Sequence, residues 1–540
     1  MKRTTVIGVS LLAGAVLVGV GFAGCTGDDP VGAADAAPST TTTSTTPDAT
    51  PKDDGGAPDA STQAAVSVDP PRARVKQGTT VELDAKLERK GLAGELPVTV
   101  TGLPKGVTAA PASFAAAATT TKVVLTAAAD ATLGNQAFKL EVQGATPAMV
   151  DLLVAGPSGT LDTTFDSDGL VFDTQSATGV YFAVKVQPDG KILAAGAPNG
   201  ASGGGWTVKR FNADGTPDAA FNTAAAAVVP TTGLARGIAI DASNGKILVT
   251  GGSASPERLT VVRLNPNGSS DQGFANAGTL LVDTVTHSQG SRGNSVVVLA
   301  GSTVLVSGTK NEGAGTVGIV ERYTSAGVKD QAFLTYSTAG AGAFTNALTL
   351  AGGAYFATGT DQSVSPPAQL GVRLLANGTP DGTFGTTGRR TYASGCRGAA
   401  SALATNGDVV IVGQDVFGPS ACTTRVAASG TGEQLYTRNG GGGGSDQFTA
   451  AGTAAGNAAY SAGFGGGSQD RYAQVERRVS DGGLDPTFGK DGIFELEDPA
   501  TPDTYGYQIQ AATTADDGRL VVAGNRTIST RGYFIGRIWP

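Results

Sequence analysis

From residue 64 onward, apolar side chains occur in short runs separated by turn-forming residues. Runs of this length, bounded by Gly, Pro, Asn and Asp, predict β strands rather than helices. Beyond residue 159, seven apolar runs each end in glycine, and successive glycines lie 55, 57, 51, 54, 50 and 61 residues apart. The runs cover residues 191–196, 246–251, 303–308, 354–359, 408–413, 458–463 and 519–524. This spacing predicts one structural unit repeated seven times.

Each repeat also carries an arginine, an acid and an aromatic residue in fixed register. An arginine follows each glycine by 12 to 14 residues; after the first six arginines an acid follows by eight residues and an aromatic by eleven. The arginines are Arg210, Arg263, Arg322, Arg373, Arg425, Arg477 and Arg537, the acids are Asp218, Asp271, Asp330, Asp381, Glu433 and Asp485, and the aromatics are Phe221, Phe274, Phe333, Phe384, Tyr436 and Phe488.

We interpret the acids as structural partners of the arginines. A turn cap in each repeat, or a ring of acids that lines a channel and holds a cation, is the alternative. Glu433 favours pairing, because its longer side chain keeps the charge but does not suit a short Asx-type cap.

Each repeat is predicted to contain four short strands. In the first copy they are residues 170–174, 181–187, 191–196 and 206–212, with Asp189 and Gly190 forming a tight turn. The third strand is apolar on consecutive residues, as expected where neighbouring sheets cover both faces. Seven such units predict an all-β fold in which residues 159–540 form a seven-bladed β-propeller of four-stranded blades. A solenoid is the alternative.

The first and last repeats complement each other. Arg537 has no acid eight residues after it, whereas Asp162 and Phe165 have no arginine before them. We therefore expect Asp162 to supply the missing acid to Arg537 and so to join the two ends of a ring.

Four stretches of the repeat region, "GTLDTTFDSDG", "VQPDGKILAAG", "RFNADGTPD" and "GGLDPTFGKDG", resemble the delta-60 repeat family of bacterial exported β-propellers. The resemblance implies the propeller fold and an exported location, and no defined activity. Glu433 and Tyr436 in the fifth repeat, and residues 457–460 in the sixth, depart from the motif.

Two further segments precede the repeats. Residues 64–155 contain short β runs, and the stretch "VTVTGLPKGV" resembles the immunoglobulin-like modules of exported bacterial proteins, which implies a β-sandwich that acts as a spacer. Residues 26–63 are rich in Thr, Pro and Asp and predict a disordered tether.

The first 25 residues predict an export signal. Lys2 and Arg3 precede an apolar run over residues 6–22, and Ala23 and Gly24 stand immediately before Cys25. This end resembles the lipobox of bacterial lipoproteins, although Phe22 stands where Leu is usual. The resemblance implies a diacylated Cys25 that anchors the chain to a membrane, and the absence of Asp after it implies the outer membrane. A transmembrane anchor is the alternative.

Composition restricts the chemistry. The net charge of −8 and the absence of a basic cluster argue against nucleic acid as a partner. The single histidine, His287, excludes a multi-histidine zinc site. The Gly-x-Ser-x-Gly match at residues 200–204 has no predicted helix after it and so is not a nucleophile elbow. Cys396 and Cys422 are predicted to form a disulfide, because export leads to an oxidising compartment.

We therefore predict a monomeric, non-enzymatic binding or structural scaffold without cofactor or metal, whose partner is a protein or a glycan at one propeller face. The alternative is a carbohydrate- or peptide-directed hydrolase or lyase that uses carboxylates in the central funnel.

If Cys25 is lipidated, Cys25→Ala will abolish incorporation of radiolabelled palmitate, because no other residue of the lipobox carries a thiol. Labelling is measured on immunoprecipitated protein, with Cys396→Ala as the control that keeps the label. Equal labelling of Cys25→Ala and the parent chain would rule the lipid anchor out.

Overall fold

The structure is a computed structural model. It describes residues 63–540 except 174–175, 177, 201–203, 254, 283–289, 313–314, 339–341, 419, 428–431, 440–445, 467–471, 497–505 and 527–531. Cys25, the predicted signal and nearly all of the predicted tether lie outside the described residues. Strands dominate the described part, which contains a single α helix, so the all-β prediction is confirmed. No described helix has the length and apolar character needed to cross a membrane.

Residues 64–155 fold into two five-stranded sheets that enclose one core. Alternate side chains of each strand point inward, as in β3, where Leu83, Ala85 and Leu87 are buried. Phe114 and Phe138 from the other sheet fill the same core. The strands are β1 (Ala64–Asp69), β2 (Arg72–Lys76), β3 (Thr80–Glu88), β4 (Leu96–Thr101), β5 (Val107–Ala109), β6 (Ala112–Phe114), β7 (Thr120–Ala127), β8 (Gly134–Val142), β9 (Ala145–Thr146) and β10 (Ala148–Ala155), in the orders β5-β7-β3-β1-β9 and β2-β10-β8-β4-β6.

The described residues after 159 form seven antiparallel sheets of three or four strands. One strand of each sheet, here called the inner strand, lines a central cavity. The inner strands are β12 (Val180–Val186), β15 (Leu234–Ile240), β19 (Ser291–Val298), β23 (Gly342–Thr349), β27 (Cys396–Leu403), β31 (Gln447–Thr453) and β35 (Tyr507–Thr514).

The second strand of each sheet is buried on both faces, which explains its consecutive apolar residues. These strands are β13 (Ile192–Ala197), β16 (Ile247–Ser253), β20 (Val304–Glu312), β24 (Tyr355–Asp361), β28 (Val409–Asp415), β32 (Ala459–Gly465) and β36 (Leu520–Arg526). Short 3₁₀ turns precede three of them, at Ala300–Ser302, Ala351–Gly353 and Ala455–Asn457.

The third and outer strands complete the sheets. The third strands are β14 (Thr207–Phe211), β17 (Arg258–Leu264), β21 (Gly315–Tyr323), β25 (Ala368–Leu374), β29 (Ser420–Val426), β33 (Tyr472–Arg478) and β37 (Gly532–Ile538). The outer strands are β11 (Leu170–Asp173), β18 (Thr279–Leu281), β22 (Tyr336–Ser337), β26 (Arg389–Ser394), β30 (Glu433–Asn439) and β34 (Ile493–Leu496).

The earliest of these strands belongs to the last sheet. Strand β11 pairs antiparallel with β37, with Leu170 opposite Gly536 and Asp173 opposite Tyr533. The sequence analysis assigned residues 170–174 to the first unit's own sheet, and this assignment is wrong. The physical reason is that the repeat region begins with the second half of a unit and ends with the first half. The edge of β37 would be unpaired without β11, which covers it.

The first sheet has three strands, and helix α1 (Ala219–Ala226) follows its third strand β14 where the other sheets continue towards an outer strand. Alanine is the strongest helix former, and five of the eight helical residues are alanine. Asp218 caps the helix by accepting a hydrogen bond from the Phe221 backbone N–H at 3.2 Å. The four-strand prediction for this unit did not anticipate the helix.

The sandwich and the last sheet share a small apolar cluster. Trp539 is buried against Leu153 and Ala155, with Leu133 packed beside them. A Cβ at Gly156 would lie 2.6 Å from the Trp539 Nε1, so only glycine fits there. Arg74 donates a hydrogen bond to the Pro540 carbonyl at 3.1 Å. The predicted spacer domain is therefore packed directly against the end of the last sheet.

Asp162 joins the two ends of the ring. Its Oδ2 accepts hydrogen bonds from the Arg537 Nε at 2.6 Å and the Arg519 Nη1 at 2.9 Å, and its side chain is fully buried. Burial, reinforced by the charge of Arg519, lowers the pKa of Arg537 to about 10. The Arg537 guanidinium therefore depends on Asp162 as its carboxylate partner.

Asp162→Ala should lower the thermal midpoint far more than Asp330→Ala. Removing one partner of a buried ion pair costs about 3–5 kcal/mol. Asp330 occupies the same repeat position, but its side chain is 21% exposed, so its loss should cost less. Circular dichroism on heating measures both variants. Equal midpoints would contradict a closure that depends on Asp162.

Candidate functional site

The inner strands surround a cavity of about 890 Å³. Each inner strand contains a β-bulge at the same level, where one extra residue interrupts the pairing with the second strand. All seven extra residues line the cavity, and we call them the bulge ring. They are Phe182, Arg236, Asn294, Thr345, Ala399, Thr449 and Gln510.

The bulges explain the glycine that ends every apolar run of the sequence. Opposite each bulge, the carbonyl of the inner strand comes so close to that glycine that a Cβ would lie between 1.6 and 2.1 Å from its oxygen. Any side chain there would displace the bulge. The glycines are Gly196, Gly251, Gly308, Gly359, Gly413, Gly463 and Gly524.

Next to the bulge ring, the channel wall consists mainly of small residues, because seven inner strands converge there. Gly237 illustrates the crowding: a Cβ would lie 3.0 Å from the Asn294 carbonyl oxygen and 3.0 Å from the Ser295 Cα. The following residues of the seven strands are Ala183, Gly237, Ser295, Asn346, Ala400, Ala450 and Ala511.

Hydrogen bonds between neighbouring inner strands satisfy part of their unpaired edges. Asn294 donates to the Phe344 carbonyl at 2.7 Å, and Asn346 donates to the Ser401 carbonyl at 2.7 Å. Thr514 donates to the Thr453 carbonyl at 2.6 Å. These contacts fix the width of the channel and bind successive sheets together.

The described residues that line the cavity include three cations, Lys185, Arg236 and Arg292, and no acid. Burial, reinforced by the charge of Arg292, lowers the pKa of Arg236 to about 10, and burial lowers the pKa of Lys185. The Nε atoms of both arginines are buried without a hydrogen-bond partner among the described residues. The channel is thus locally positive in a chain whose net charge is −8.

None of the repeat acids is among the described residues that line the channel. The alternative in which these acids form a ring that holds a cation in the channel is therefore wrong. Six acids instead contact the arginines of the repeat through Oδ2. The Nε–Oδ2 distances are 3.0 Å for Arg210–Asp218, 2.6 Å for Arg263–Asp271, 2.7 Å for Arg322–Asp330, 2.8 Å for Arg373–Asp381, 3.2 Å for Arg477–Asp485 and 2.6 Å for Arg537–Asp162.

The same acids also cap turns, so pairing and capping are not alternatives. Asp162 Oδ1 accepts a hydrogen bond from the Thr164 backbone N–H at 3.0 Å while Oδ2 faces Arg537. Asp381 caps Thr383 and Asp485 caps Thr487 in the same way. These bonds and the arginine contacts lower the pKa of Asp381 and Asp485, although burial opposes the shift.

Five of the arginines also reach the next sheet, Arg425 through a bond from Nη1 to the Asn457 carbonyl at 2.9 Å before that sheet's second strand. The other four we call the staple arginines. Each donates from Nη1 to a carbonyl in the turn after the next sheet's third strand, and each lies over the aromatic ring of its own repeat. The bonds are Arg210 to Pro266 (2.6 Å), Arg263 to Ser325 (2.5 Å), Arg322 to Ala376 (2.6 Å) and Arg537 to Ala213 (2.5 Å), and the rings are Phe221, Phe274, Phe333 and Phe165.

The fifth repeat departs from the expected pair. Arg425 donates to Asp408 at 2.8 Å, and Glu433 accepts instead from the Ala393 backbone N–H at 2.8 Å. Glu433 begins strand β30 rather than a turn, and Tyr436 lies in the same strand under Arg478. The assignment of Glu433 to Arg425 and the argument built on its length are therefore wrong.

In three units the first residue of the apolar run makes a contact that the sequence analysis missed. Lys191 lies 3.3 Å from Asp218, Lys246 lies 2.8 Å from Asp271, and Arg519 bonds Asp162. The fifth run begins with Asp408 instead. This exchange of a cation for an acid was the signal that Arg425 takes its partner from that position.

The remaining candidate residues divide into two groups. Cys396, at the start of β27, and Cys422, in β29, form a disulfide with an S–S distance of 2.05 Å. His287 and Ser202 lie outside the described residues. Among the described residues, no three His, Cys, Asp or Glu side chains form a group that could hold a metal ion.

A family model described as a domain of unknown function (DUF5122) beta-propeller matches residues 187–221 and 242–274, which confirms the β-propeller. No curated protein sequence matches significantly. Solved structures with the same class of fold include a quinonprotein alcohol dehydrogenase-like protein from Bacteroides thetaiotaomicron, with 11% identity over 68% of this chain and 93% of that chain and a TM-score of 0.22.

Two other similar structures include one that is a glycoside hydrolase by name. "NanB plus Optactamide" has 9% identity over 85% of this chain and 83% of that chain, with a TM-score of 0.31. An engineered GH43 glycoside hydrolase has 11% identity over 86% and 92%, with a TM-score of 0.24. The prediction that this chain is not an enzyme is contradicted by this comparison. At these identities and TM-scores the likeness carries no reaction or substrate to this chain.

Replacing both cysteines, Cys396→Ala with Cys422→Ala, should destabilise the protein by about 3 kcal/mol, because the bond closes a loop of 26 residues. The thermal midpoint is measured with and without reductant. The parent protein should lose stability on reduction and the double variant should not respond. A reductant-insensitive parent with two titratable thiols would contradict the disulfide.

Proposed function

We propose that the propeller is carbohydrate-directed and that its ligand binds in the central channel. The observation that carries this proposal is the chemistry of the described channel wall, which combines amides, hydroxyls and three cations with one aromatic ring and no acid. Ligand sites are concave and contain a few polar groups that fix orientation, and this cavity meets that description.

The bulge ring supports a saccharide as the ligand class. Sugars present many hydroxyl groups and an apolar C–H face, so they require dispersed donors and acceptors beside an aromatic surface. Gln510, Thr345 and Asn294 supply amide and hydroxyl groups at one level, and Phe182 supplies the ring at the same level.

The carboxylates expected for a hydrolase or lyase are not found among the described lining residues. Glu257 is the acid that contacts this part of the channel, through its ion pair with Arg292. The proposal therefore concerns recognition of the glycan, and the same ligands serve to test cleavage.

The proposal includes the architecture that presents the channel. The seven sheets constitute a seven-bladed propeller, and residues 64–155 are an immunoglobulin-like spacer. Cys25 carries the lipid that holds the protein at the outer membrane, and residues 26–63 form a tether with a span on the order of 35 Å. A monomer held in this way would meet glycans at the cell envelope.

Filling the channel should abolish glycan binding. Ala399→Trp places a large ring in the bulge ring, and Ala332→Trp, at an exposed position, is the matched control. Isothermal calorimetry with envelope oligosaccharides on the full chain in detergent should show at least a tenfold loss of affinity for Ala399→Trp only. Release of reducing ends is measured with the same sugars. Unchanged binding in a correctly folded Ala399→Trp would contradict the channel as the site.

A further inference from the structure

We infer that Arg236 and Arg292 form an anion subsite that holds the acidic group, carboxylate or sulfate, of the saccharide. This inference rests on the proposed function and names the class of glycan. The evidence starts with two arginines that line the same cavity and do not belong to the arginine–acid pairs of the repeat.

The two arginines project from neighbouring inner strands. Arg236 is the bulge residue of β15, and Arg292 lies two residues before Asn294, the bulge residue of β19. Both line the channel. At the level of Arg236 the other six sheets carry Phe, Asn, Thr, Ala, Thr and Gln, so the positive charge is specific to this side of the ring.

One donor of each arginine, the Nε–H group, has no partner among the described residues. The staple arginines donate from Nε to a carboxylate, as Arg263 does to Asp271 at 2.6 Å. The Nε atoms of Arg236 and Arg292 are buried and have no such partner among the described residues. A guanidinium offers a planar fork of donors that matches the two oxygens of a carboxylate or sulfate.

The charges of the surrounding residues also favour an anion. Glu257 faces both arginines, with its Oε2 3.7 Å from the Arg292 Nη1, and no other acid acts on Arg236. Two cations with one carboxylate leave a net positive charge in a partly buried site. Like charges that are taken out of water repel and lose hydration, and a bound anion offsets both costs.

Phe182 places an aromatic face beside the cations. The Arg236 Cζ lies 5.6 Å from the centre of the Phe182 ring. A guanidinium at this distance from an aromatic face is attracted to the ring. A sugar ring whose acid binds the arginines would therefore have an apolar surface within reach.

The test compares acidic glycans with their neutralised forms on the full chain in detergent. Oligogalacturonate is paired with its methyl ester, and a sulfated oligosaccharide with its desulfated form, so that the carboxylate and sulfate sources are separated. The variants are Arg236→Gln and Arg292→Gln. Arg72→Gln, whose side chain is 70% exposed on the sandwich, is the charge-matched control.

We expect one acidic form to bind the parent and the control at least tenfold more tightly than its neutral form, and each channel variant to lose at least tenfold. Equal binding of acidic and neutral glycans, unaffected by Arg236→Gln, would overturn the anion subsite and leave the proposed function intact. Thermal midpoints within the range of the control establish that the variants fold.

A titration with inorganic sulfate distinguishes a failure of the proposed glycan-binding function from a failure of the anion subsite. If no glycan binds, the proposed function fails, and a sulfate-induced rise in the thermal midpoint that is lost in Arg236→Gln would still support the anion subsite. If neither glycan nor sulfate acts through these arginines, the anion subsite is also overturned.

Discussion

The interaction on which the ring of sheets most depends is the guanidinium that ties a third strand to the following sheet, as the staple arginines do in four of the seven sheets. A staple arginine is held by an acid and an aromatic ring of its own repeat and donates to a backbone carbonyl of the next sheet. Because it is nearly buried, loss of its carboxylate partner would leave an uncompensated charge. Arg537 makes the same bond to Ala213 of the first sheet, so the interaction that links neighbours also links the ends.

The converging inner strands impose the second constraint. Seven strand edges around one axis leave backbone groups that neighbouring sheets must satisfy, and the bonds from Asn294 and Asn346 do so. The bulge in each strand turns one residue towards the axis, and the glycine opposite leaves room for it. The repeat glycine and the bulge ring are thus two consequences of one backbone feature, and the channel wall follows from both.

The sequence allowed the parts of the fold that depend on periodicity to be predicted. The register of arginine and acid held for Arg263 and Asp271 because each side chain occupies an equivalent position in an equivalent sheet. It failed at Arg425, where the acid has moved to Asp408, since a repeat pattern specifies positions and not which of two nearby acids is closer in space. Helix α1 escaped prediction because the repeat offers no precedent for it: the equivalent residues of the second and fourth units, 272–278 and 382–388, form turns.

The channel cations could not be predicted from the repeat because they are departures from it. The equivalents of Arg236 in the other sheets are neutral, and those of Arg292 include one other cation, the exposed Arg397 of the fifth sheet. Neither Arg236 nor Arg292 belongs to the network of staples. A scaffold whose stability comes from many repeated contacts can keep an unfavourable charge at one level without unfolding. Residues that break a repeat, face a cavity and leave a donor unused are therefore where ligand recognition should be sought, and in this chain those three conditions meet at the two arginines.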